Sequence, residues 1–196
     1  MAKKLIHEEK YALKKLQSIC FPATNEELCH KFLAGHRVAL AKNGILNITS
    51  NNDEWIGNSN IYCLMISNEE NLPIAGLRIE HFSDQRNMPI QDIADELTEK
   101  INSFVEKKIP NKNIAELCAL WVHPDYRSNR MAIEITILGV AKSYALTINN
   151  LILIGAQHSE KISNQVGFMR CDDVMQDRVF LTYPNPEYKA VVRELC

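Results

Sequence analysis

Two arginines in a short polar loop are the residues of this sequence with the clearest capacity for chemistry. Arg127 and Arg130 follow an apolar run that begins at Ile114, and a long apolar segment with helical spacing continues to Ala145. This pattern predicts a strand, a loop and a buried helix. The first turn of such a helix exposes unpaired backbone N–H groups and the positive end of the helix dipole, to which the arginines would add charge. We therefore expect an anion site at this loop, most simply for a phosphate group.

The same loop carries a family resemblance. The segment VHPDYRSNRMA, from Val122 to Ala132, resembles the acyl-coenzyme A binding segment of the GNAT superfamily of N-acetyltransferases, and QVGFMR resembles the later G-F element of that superfamily. LPIAGLRIE followed by AELCALWVHPDYR is similar to the autoinducer-synthase and N-acyl amino acid synthase branch. The resemblance implies that an acyl donor is bound by Val122, Arg127, Ser128, Asn129, Arg130, Met131, Ala132 and Asn164.

Arg130 departs from the family pattern. It stands where the resembling proteins have a glycine, which lets the backbone approach a pyrophosphate closely. The loop could therefore bind coenzyme A in an altered pose, bind a different phosphate such as the phosphopantetheine arm of an acyl-carrier protein, or bind neither. The alternative interpretation is a polar loop with two solvated arginines.

Glu116 and His158 are the predicted catalytic residues. Glu116 is a charged residue in an otherwise apolar strand, and burial there would raise its pKa toward the range useful for a base. The resemblance implies that role, because an amine acceptor must lose a proton as it attacks a thioester. Exposure at the strand end or pairing with Arg78 is the structural alternative. His158 follows the strand expected to diverge from the Glu116 strand and is the alternative base or acid, although a histidine at a strand end is commonly a surface residue.

The leaving thiolate has no obvious proton donor in the sequence. The resembling proteins place a tyrosine four residues before the glycine of G-F, and here that residue is Ser163, beside Asn164. Neither a hydroxyl nor an amide protonates a thiolate readily at neutral pH. Tyr126 and Tyr144 would substitute only if the fold brought them close.

Composition limits the classes of function. The chain has 196 residues, of which 46% are hydrophobic, so we expect one domain, residues 1–196, with its own core. A net charge of −2 disfavours nucleic acid as a partner. The six cysteines form no C-x-x-C pair, the first residues contain no signal-peptide core, and no apolar run reaches the ~18 residues of a membrane span, which together predict a cytoplasmic protein. The histidines match no ligand spacing, and we expect no metal.

Hydrophobic periodicity predicts the elements that must position these residues. Helical spacing favours helices at 7–20, from Thr24 to about Asn43, and at 90–109, with a short helix at 158–166 and a closing helical turn after Tyr183. Strand patterns fall at 61–67, 74–82, 114–122 and 151–157, with two more between 172 and 183. The segment 3–7 is the candidate for a first strand before the helices.

These observations together predict an α/β fold of the GNAT type, in which helices flank a mixed central sheet. We expect a transferase that takes an acyl group from acyl-CoA, or from the phosphopantetheine of an acyl-carrier protein, and delivers it by direct attack to a small amine or an amino acid-like acceptor. The long helix predicted at 90–109 favours a long acyl chain, and a plain N-acetyltransferase stays open. The alternative from another class is a degenerate GNAT-like domain that binds a ligand or a partner without catalysis.

Overall fold

The described part of the chain forms a mixed sheet with helices on both faces. The computed structural model describes residues 16–45, 48–84, 86–93, 98–108, 113–126, 129–176, 180–184 and 187–196. The strands are β1 (Gln17–Pro22), β2 (Ile61–Ser67), β3 (Pro73–His81), β4 (Ile114–Val122), β5 (Asn150–Ala156), β6 (Met169–Arg170), β7 (Leu181–Thr182) and β8 (Lys189–Leu195). The helices are α1 (Glu26–Lys42), α2 (Thr98–Lys108), α3 (Asn129–Ala145), α4 (Glu160–Val166) and α5 (Asp172–Met175), with 3-10 turns at Pro89–Asp92, Pro124–Tyr126 and Gln157–Ser159. The predicted α/β architecture is confirmed.

The sheet has the strand order β1-β2-β3-β4-β5-β8-β6, and β7 pairs with the opposite end of β8 from β6. Strands β4 and β5 are parallel, and the other neighbours are antiparallel. The predicted hairpin of β2 and β3 is confirmed. A central parallel pair inside an otherwise antiparallel sheet places the carboxyl ends of β4 and β5 at the same edge.

Strands β4 and β5 separate after a short paired region. Their register includes three pairs, of which the last joins Glu116 to Ile152. On its other side, β4 carries a bulge against β3, where Leu77 alone lies opposite Ala119 and Leu120. Ala119 adopts a φ of 48°, which is uncommon for a residue with a side chain. The separation and the bulge together open the middle of the sheet directly beyond Glu116.

Helices cover the two faces of the sheet because side chains alternate along each strand. Cys63 belongs to the buried cluster beneath α1, and its neighbour Leu64 belongs to the cluster beneath α3. The α1 cluster contains Phe32, Leu33, Trp55 and Trp121. A third cluster joins α2 and α5 to the ends of β5 and β8. Helices α1 and α3 therefore pack on opposite faces of the sheet, and α2 and α5 pack against β5 and β8.

Helix α1 confirms the second predicted helix. It begins one residue later than the Thr24 capping pattern suggests, because Asn25 is the N-cap and its Oδ1 accepts a hydrogen bond of 3.2 Å from the N–H of Leu28. It ends at Lys42, as the Asn-Gly pair predicts.

The predicted helix at 7–20 is wrong where the structure describes it. Residues from Gln17 onward form β1, which pairs along its whole length with β2. Residues 7–15, and the segment 3–7 proposed as a first strand, lie outside the described residues. Leu16 and Ile19 are exposed, so their helical spacing reflected no buried face. Backbone pairing to β2 decided the conformation here.

Three further predictions of local structure need correction. The helix predicted at 90–109 is a 3-10 turn, Pro89–Asp92, followed by α2, while residues 94–97 lie outside the described part. Asp172–Met175 is the helix α5 and no strand. The predicted closing helical turn is wrong, since Lys189–Leu195 is β8 and pairs with β5 across six residues. In the described residues, no helix is long and apolar enough to cross a membrane.

Candidate active site

A cavity of about 260 Å³ occupies the gap beyond the paired part of β4 and β5. Its walls come from β4, β5, the C-terminal end of α1, the middle of α3, the start of α4 and the segment around Tyr183. The side chains that line it are mostly aliphatic. Its polar lining residues among those described are His36, Asn43, Thr49, Ser50, Glu116, Thr136, Ser159, Ser163, Tyr183 and Tyr188. The sheet opening therefore leads into an apolar chamber with a small number of polar groups.

Glu116 is the acid in the wall of this cavity. Its residue is 1% exposed, although an isolated carboxylate is costly to bury. One carboxyl oxygen, Oε2, accepts a hydrogen bond of 2.8 Å from the backbone N–H of Ile90 in the 3-10 turn. The predicted placement of Glu116 on a buried strand is confirmed by its position on β4, and the alternative of a solvent-exposed strand end is wrong.

The pKa of the Glu116 carboxyl is raised to about 8, and burial is the largest cause. The negative charge of Glu80 contributes to the rise, and Asp92 acts in the same direction. The N–H of Ile90 and the guanidinium of Arg78 lower the pKa, but they do not offset the loss of hydration. Glu116 is thus mostly protonated at neutral pH and becomes a proton acceptor as the pH passes about 8.

Glu80 lies directly opposite Glu116 in the register of β3 and β4. Arg78, on the same strand, forms an ion pair of 2.5 Å from Nη2 to Oε1 of Glu80, and both side chains are buried. Arg78 also donates from Nη1 to the carbonyl oxygen of Ser50 at 3.2 Å, and its guanidinium lies 4.6 Å from the centre of the Trp55 ring. The buried ion pair of Arg78 is therefore formed with Glu80, on its own strand.

Tyr183 lines the cavity together with Glu116, and sequence reasoning missed it. Its hydroxyl oxygen accepts a hydrogen bond of 2.8 Å from the backbone N–H of Thr49 and lies 2.7 Å from the Thr49 hydroxyl. Burial raises the pKa of the Tyr183 phenol, and Glu116 adds to this effect. The contact spans 134 residues of sequence. No local pattern could have indicated it.

The two tyrosines considered from the sequence lie elsewhere. The hydroxyl of Tyr126 accepts a hydrogen bond of 3.1 Å from the side-chain amide of Asn68. Tyr144 is 47% exposed on α3. Neither is among the described residues that line the cavity.

Ser163 occupies the position that the resemblance assigns to a tyrosine, and it does line the cavity. Its hydroxyl donates to the backbone carbonyl of Glu160 at 3.0 Å, with a longer contact to Ser159 at 3.4 Å. The single hydroxyl proton is therefore engaged inside α4 and is not directed at a thiolate.

His36 is a second cavity residue that the sequence did not single out. It lies on the buried face of α1 and is 1% exposed. Burial lowers the pKa of its imidazole to about 3, and the charges of Arg78 and Arg37 act in the same direction. His36 is consequently neutral at physiological pH. A helical spacing shared with Phe32 was its only sequence signal, and that spacing predicts only a core position.

The predicted donor loop lies at the start of α3. Arg127 and Ser128 are outside the described residues, and Asn129 is described only as the first residue of the helix. Arg130 is highly exposed and pairs with Glu134 at 2.8 Å. The positive charge of Arg130 is thus partly offset by the carboxylate of Glu134 on the same helix. The helix N-terminus predicted for the anion site is present at this place in the chain.

The remaining donor-site predictions divide between two places. Val122 and Met131 are partly buried against the cluster beneath α3, and Ala132 is buried in the first turn of that helix. Asn164 is not among the described residues that line the Glu116 cavity. Its Oδ1 accepts a hydrogen bond of 2.7 Å from Nη1 of Arg193. The backbone of His158 follows β5 in the turn Gln157–Ser159, and its side chain lies outside the described part. The assignment of these residues to a donor site and to catalysis stays a prediction.

No protein-family model matches the sequence, and no curated protein matches it. Solved structures do. One is FeeM, an N-acyl amino acid synthase from uncultured soil microbes, with a TM-score of 0.73 and 13% identity over 94% of this chain and 92% of that one. The fold is that of the GNAT acyltransferases.

Two further GNAT-fold structures agree. An acyl-CoA N-acyltransferase from Pseudomonas aeruginosa matches with a TM-score of 0.62 and 12% identity, over 93% of this chain and all 100% of the other. The acyl-homoserine lactone (AHL) synthase LasI matches with a TM-score of 0.63 and 14% identity, over 93% of this chain and 90% of the other. The resemblance identified from the loop and the G-F element is confirmed at the level of the fold, including its likeness to synthases of the acyl amino acid and autoinducer type.

Proposed function

We propose that this chain works as a single N-acyltransferase domain that moves an acyl group from a thioester donor to an amine. The observation that carries the proposal is the position of Glu116, a buried carboxyl with a pKa of about 8, at the point where β4 and β5 separate in a GNAT fold. Such a group is matched to accepting a proton from an amine near neutral pH. The free thiols of all six cysteines support the predicted cytoplasmic location.

The gap between β4 and β5 supplies the proposed donor site. Pairing between these strands ends at Glu116, so the facing backbone edges beyond it are free to bind the amide groups of a pantetheine arm. The first turn of α3, which begins at Asn129, presents backbone N–H groups to a phosphate. The likeness to an acyl-CoA N-acyltransferase favours acyl-CoA as the donor. Arg130 is exposed and replaces the glycine of the family pattern, so an acyl-carrier protein is the second donor to test.

The proposed reaction is direct attack of the amine on the thioester carbonyl. The C–N bond forms, Glu116 accepts the proton that the amine loses, the C–S bond breaks and the thiolate leaves as a thiol after taking up a proton. Backbone N–H groups of the bulge at Ala119 and Leu120, both in the cavity wall, are the candidates to polarise the carbonyl. A covalent route through Cys118 is disfavoured, because burial raises the pKa of this thiol well above its ordinary range.

Thiol release with acyl-CoA donors of graded chain length and a panel of amines tests this function. We expect turnover in the wild type and a loss of roughly 10² to 10⁴ in kcat/KM for Glu116→Gln, which keeps the side-chain acceptor for Ile90 but removes the base. Glu27→Gln is the matched control, since Glu27 forms a surface pair with Lys31 on α1 and should leave the rate unchanged.

Donor binding is measured separately, through the melting temperature with acyl-CoA or acyl-carrier protein added. A donor that raises the melting temperature without any turnover would support the non-catalytic alternative. An absence of both binding and turnover would sink the proposal.

A further inference from the structure

The cavity around Glu116 offers no positive charge among its described lining residues. None of them is a lysine or an arginine, and its one histidine, His36, is neutral because burial lowers its pKa to about 3. Glu116 becomes negative only as the pH passes its pKa of about 8, and it is largely neutral at pH 7. The described lining therefore contains no group that would offset the charge of a bound carboxylate.

Helix α1 acts in the same direction. Its last turn reaches the cavity, where Leu40 and Asn43 are lining residues. The C-terminal end of a helix carries the negative end of the helix dipole. The carbonyl oxygen of Asn43 accepts a hydrogen bond of 2.8 Å from the Tyr188 hydroxyl. Lys42 lies in the same turn but is not among the described lining residues, so the end of α1 adds only a weak negative potential to the chamber.

The two arginines near Glu116 both lie against the carboxylate of Glu80. Arg78 acts on the Glu116 carboxyl, but it is ion-paired with Glu80 and donates to the carbonyl of Ser50. Arg86 lies 3.9 Å from the other oxygen of Glu80. Neither is among the described residues that line the cavity, so neither is placed to bind a carboxylate there.

Three polar donors of the described lining are already occupied. The Thr136 hydroxyl donates to the carbonyl of Ala132 at 2.7 Å, and the Ser163 hydroxyl donates to the carbonyl of Glu160. The N–H of Thr49 donates to Tyr183. A carboxylate entering this space would lose its hydration without gaining a lysine or an arginine of the described lining, which is unfavourable.

We propose that the acceptor binds on the side of the Glu116 cavity that α1 and the Tyr183 segment line, which leaves the β4 and β5 edges to the donor. This acceptor is a primary amine that carries no carboxylate, with an aliphatic or aromatic body, and free amino acids are poor acceptors. This inference rests on the proposed function and narrows it to one chemical class. It sets the chain apart from its structural neighbour described as an N-acyl amino acid synthase, with which it shares a fold at 13% identity. The amine group lies beside the Glu116 carboxyl, which attracts the ammonium form once the carboxyl is ionised, and the apolar body contacts the aliphatic walls.

Matched acceptors test the proposal. Phenethylamine, phenylalaninamide and phenylalanine share one side chain and differ in what replaces the α-hydrogen, and 3-methylbutylamine, leucinamide and leucine form a second series. Rates are compared per concentration of free amine, which removes differences in amine basicity. We expect kcat/KM to be at least about 10-fold higher for each amine than for its amino acid, with the neutral amide close to the amine. The amide is similar in size to the carboxylate, so this order would identify charge as the cause. An amino acid used as well as its amine would overturn the proposal.

A charge introduced into the cavity gives an independent readout. Leu40→Arg places a cation in the lining and should move the preference toward the amino acid in both series. Val38→Arg is the matched control, since Val38 lies on the same helix and is 50% exposed, away from the lining residues. An unchanged preference in Leu40→Arg would count against the proposal.

Binding separates this inference from the proposed function. If thiol release fails with every acceptor, the melting temperature of the wild type with each compound still decides, because a bound amine must raise it more than the matched amino acid. Amine selectivity without turnover would refute the acyltransferase and retain the chamber's preference for amines. Equal or larger stabilisation by the amino acid would refute the chamber's preference itself.

Discussion

Replacing Glu80 by glutamine should lower the pKa of Glu116 and move the pH profile of catalysis. The two residues are directly opposite each other in β3 and β4, which puts their Cβ atoms about 5 Å apart. Both are buried, so solvent screens their interaction little. Glutamine keeps the shape and an acceptor for Arg78 but removes the negative charge that raises the pKa of Glu116. Arg78 would then act on Glu116 alone, in the same downward direction.

The size of the effect follows from Coulomb's law. At an effective dielectric constant of about 20 and a separation of about 6 Å, two unit charges interact by about 3 kcal/mol, or about 2 pKa units. We expect the pKa of Glu116 to fall from about 8 by roughly 1 to 2 units. The base then becomes available at lower pH, but it is weaker, so the maximal rate should fall modestly.

The assay is kcat/KM for thiol release as a function of pH, with one amine acceptor throughout. The amine titrates identically for wild type and variant, so the difference between their acidic limbs isolates the enzyme group. Glu27→Gln, which also removes a glutamate from an ion pair, should leave the limb where it is. The melting temperature of Glu80→Gln must be recorded too, since weakening a buried pair costs up to about 3–5 kcal/mol. A folded variant with a lower rate and an unmoved limb would refute the electrostatic role of Glu80.

Two other substitutions probe the same chamber. Because the folded-state pKa of Glu116 is raised to about 8, the stability associated with its proton is present below its ordinary pKa and is lost as the pH rises through about 8. Glu116→Gln should therefore melt above the wild type at alkaline pH, by at most about 5 kcal/mol of unfolding free energy, with the gap closing in acid; a gap independent of pH in thermal unfolding would contradict the buried titration. Tyr183→Phe leaves the N–H of Thr49 without its acceptor and should raise the acceptor KM roughly 10-fold while lowering the melting temperature, and an unchanged KM in steady-state assays would remove Tyr183 from the acceptor site.

Sequence periodicity predicted the elements whose buried face is continuous and whose ends carry local signals. Helix α1 has an N-cap at Asn25 and ends at an Asn-Gly pair, and β4 is an uninterrupted apolar run followed by a polar loop and α3. These signals act over a few residues, so they can be identified from the sequence alone. The candidate base was found for the same reason, because Glu116 is the charged residue in that apolar run.

The errors fall at the edges and at the closing strand. Gln17–Pro22 shows helical spacing but pairs with β2, a partner that lies some 40 residues later. Lys189–Leu195 looked like a helical end but inserts beside β5 and completes the sheet. The segment 90–109 has one buried stripe, yet that stripe belongs to a turn and a separate helix. In both strands a nonlocal partner, which periodicity does not encode, determined the conformation.

By itself, the sequence determined that the chain has a GNAT-like strand, loop and helix and a glutamate on that strand, because these depend on hydrophobic spacing and local motifs. The tertiary structure alone decided what the glutamate can do. The pKa of Glu116 depends on its depth in the sheet and on Glu80, which only strand register places opposite it. Other properties of the site also depend on side chains far apart in sequence. These are the neutrality of His36, the hydrogen bond between Thr49 and Tyr183, and the lack of lysine and arginine in the described lining. Electrostatics and desolvation depend on distances through space, and those distances exist only once the strands have paired.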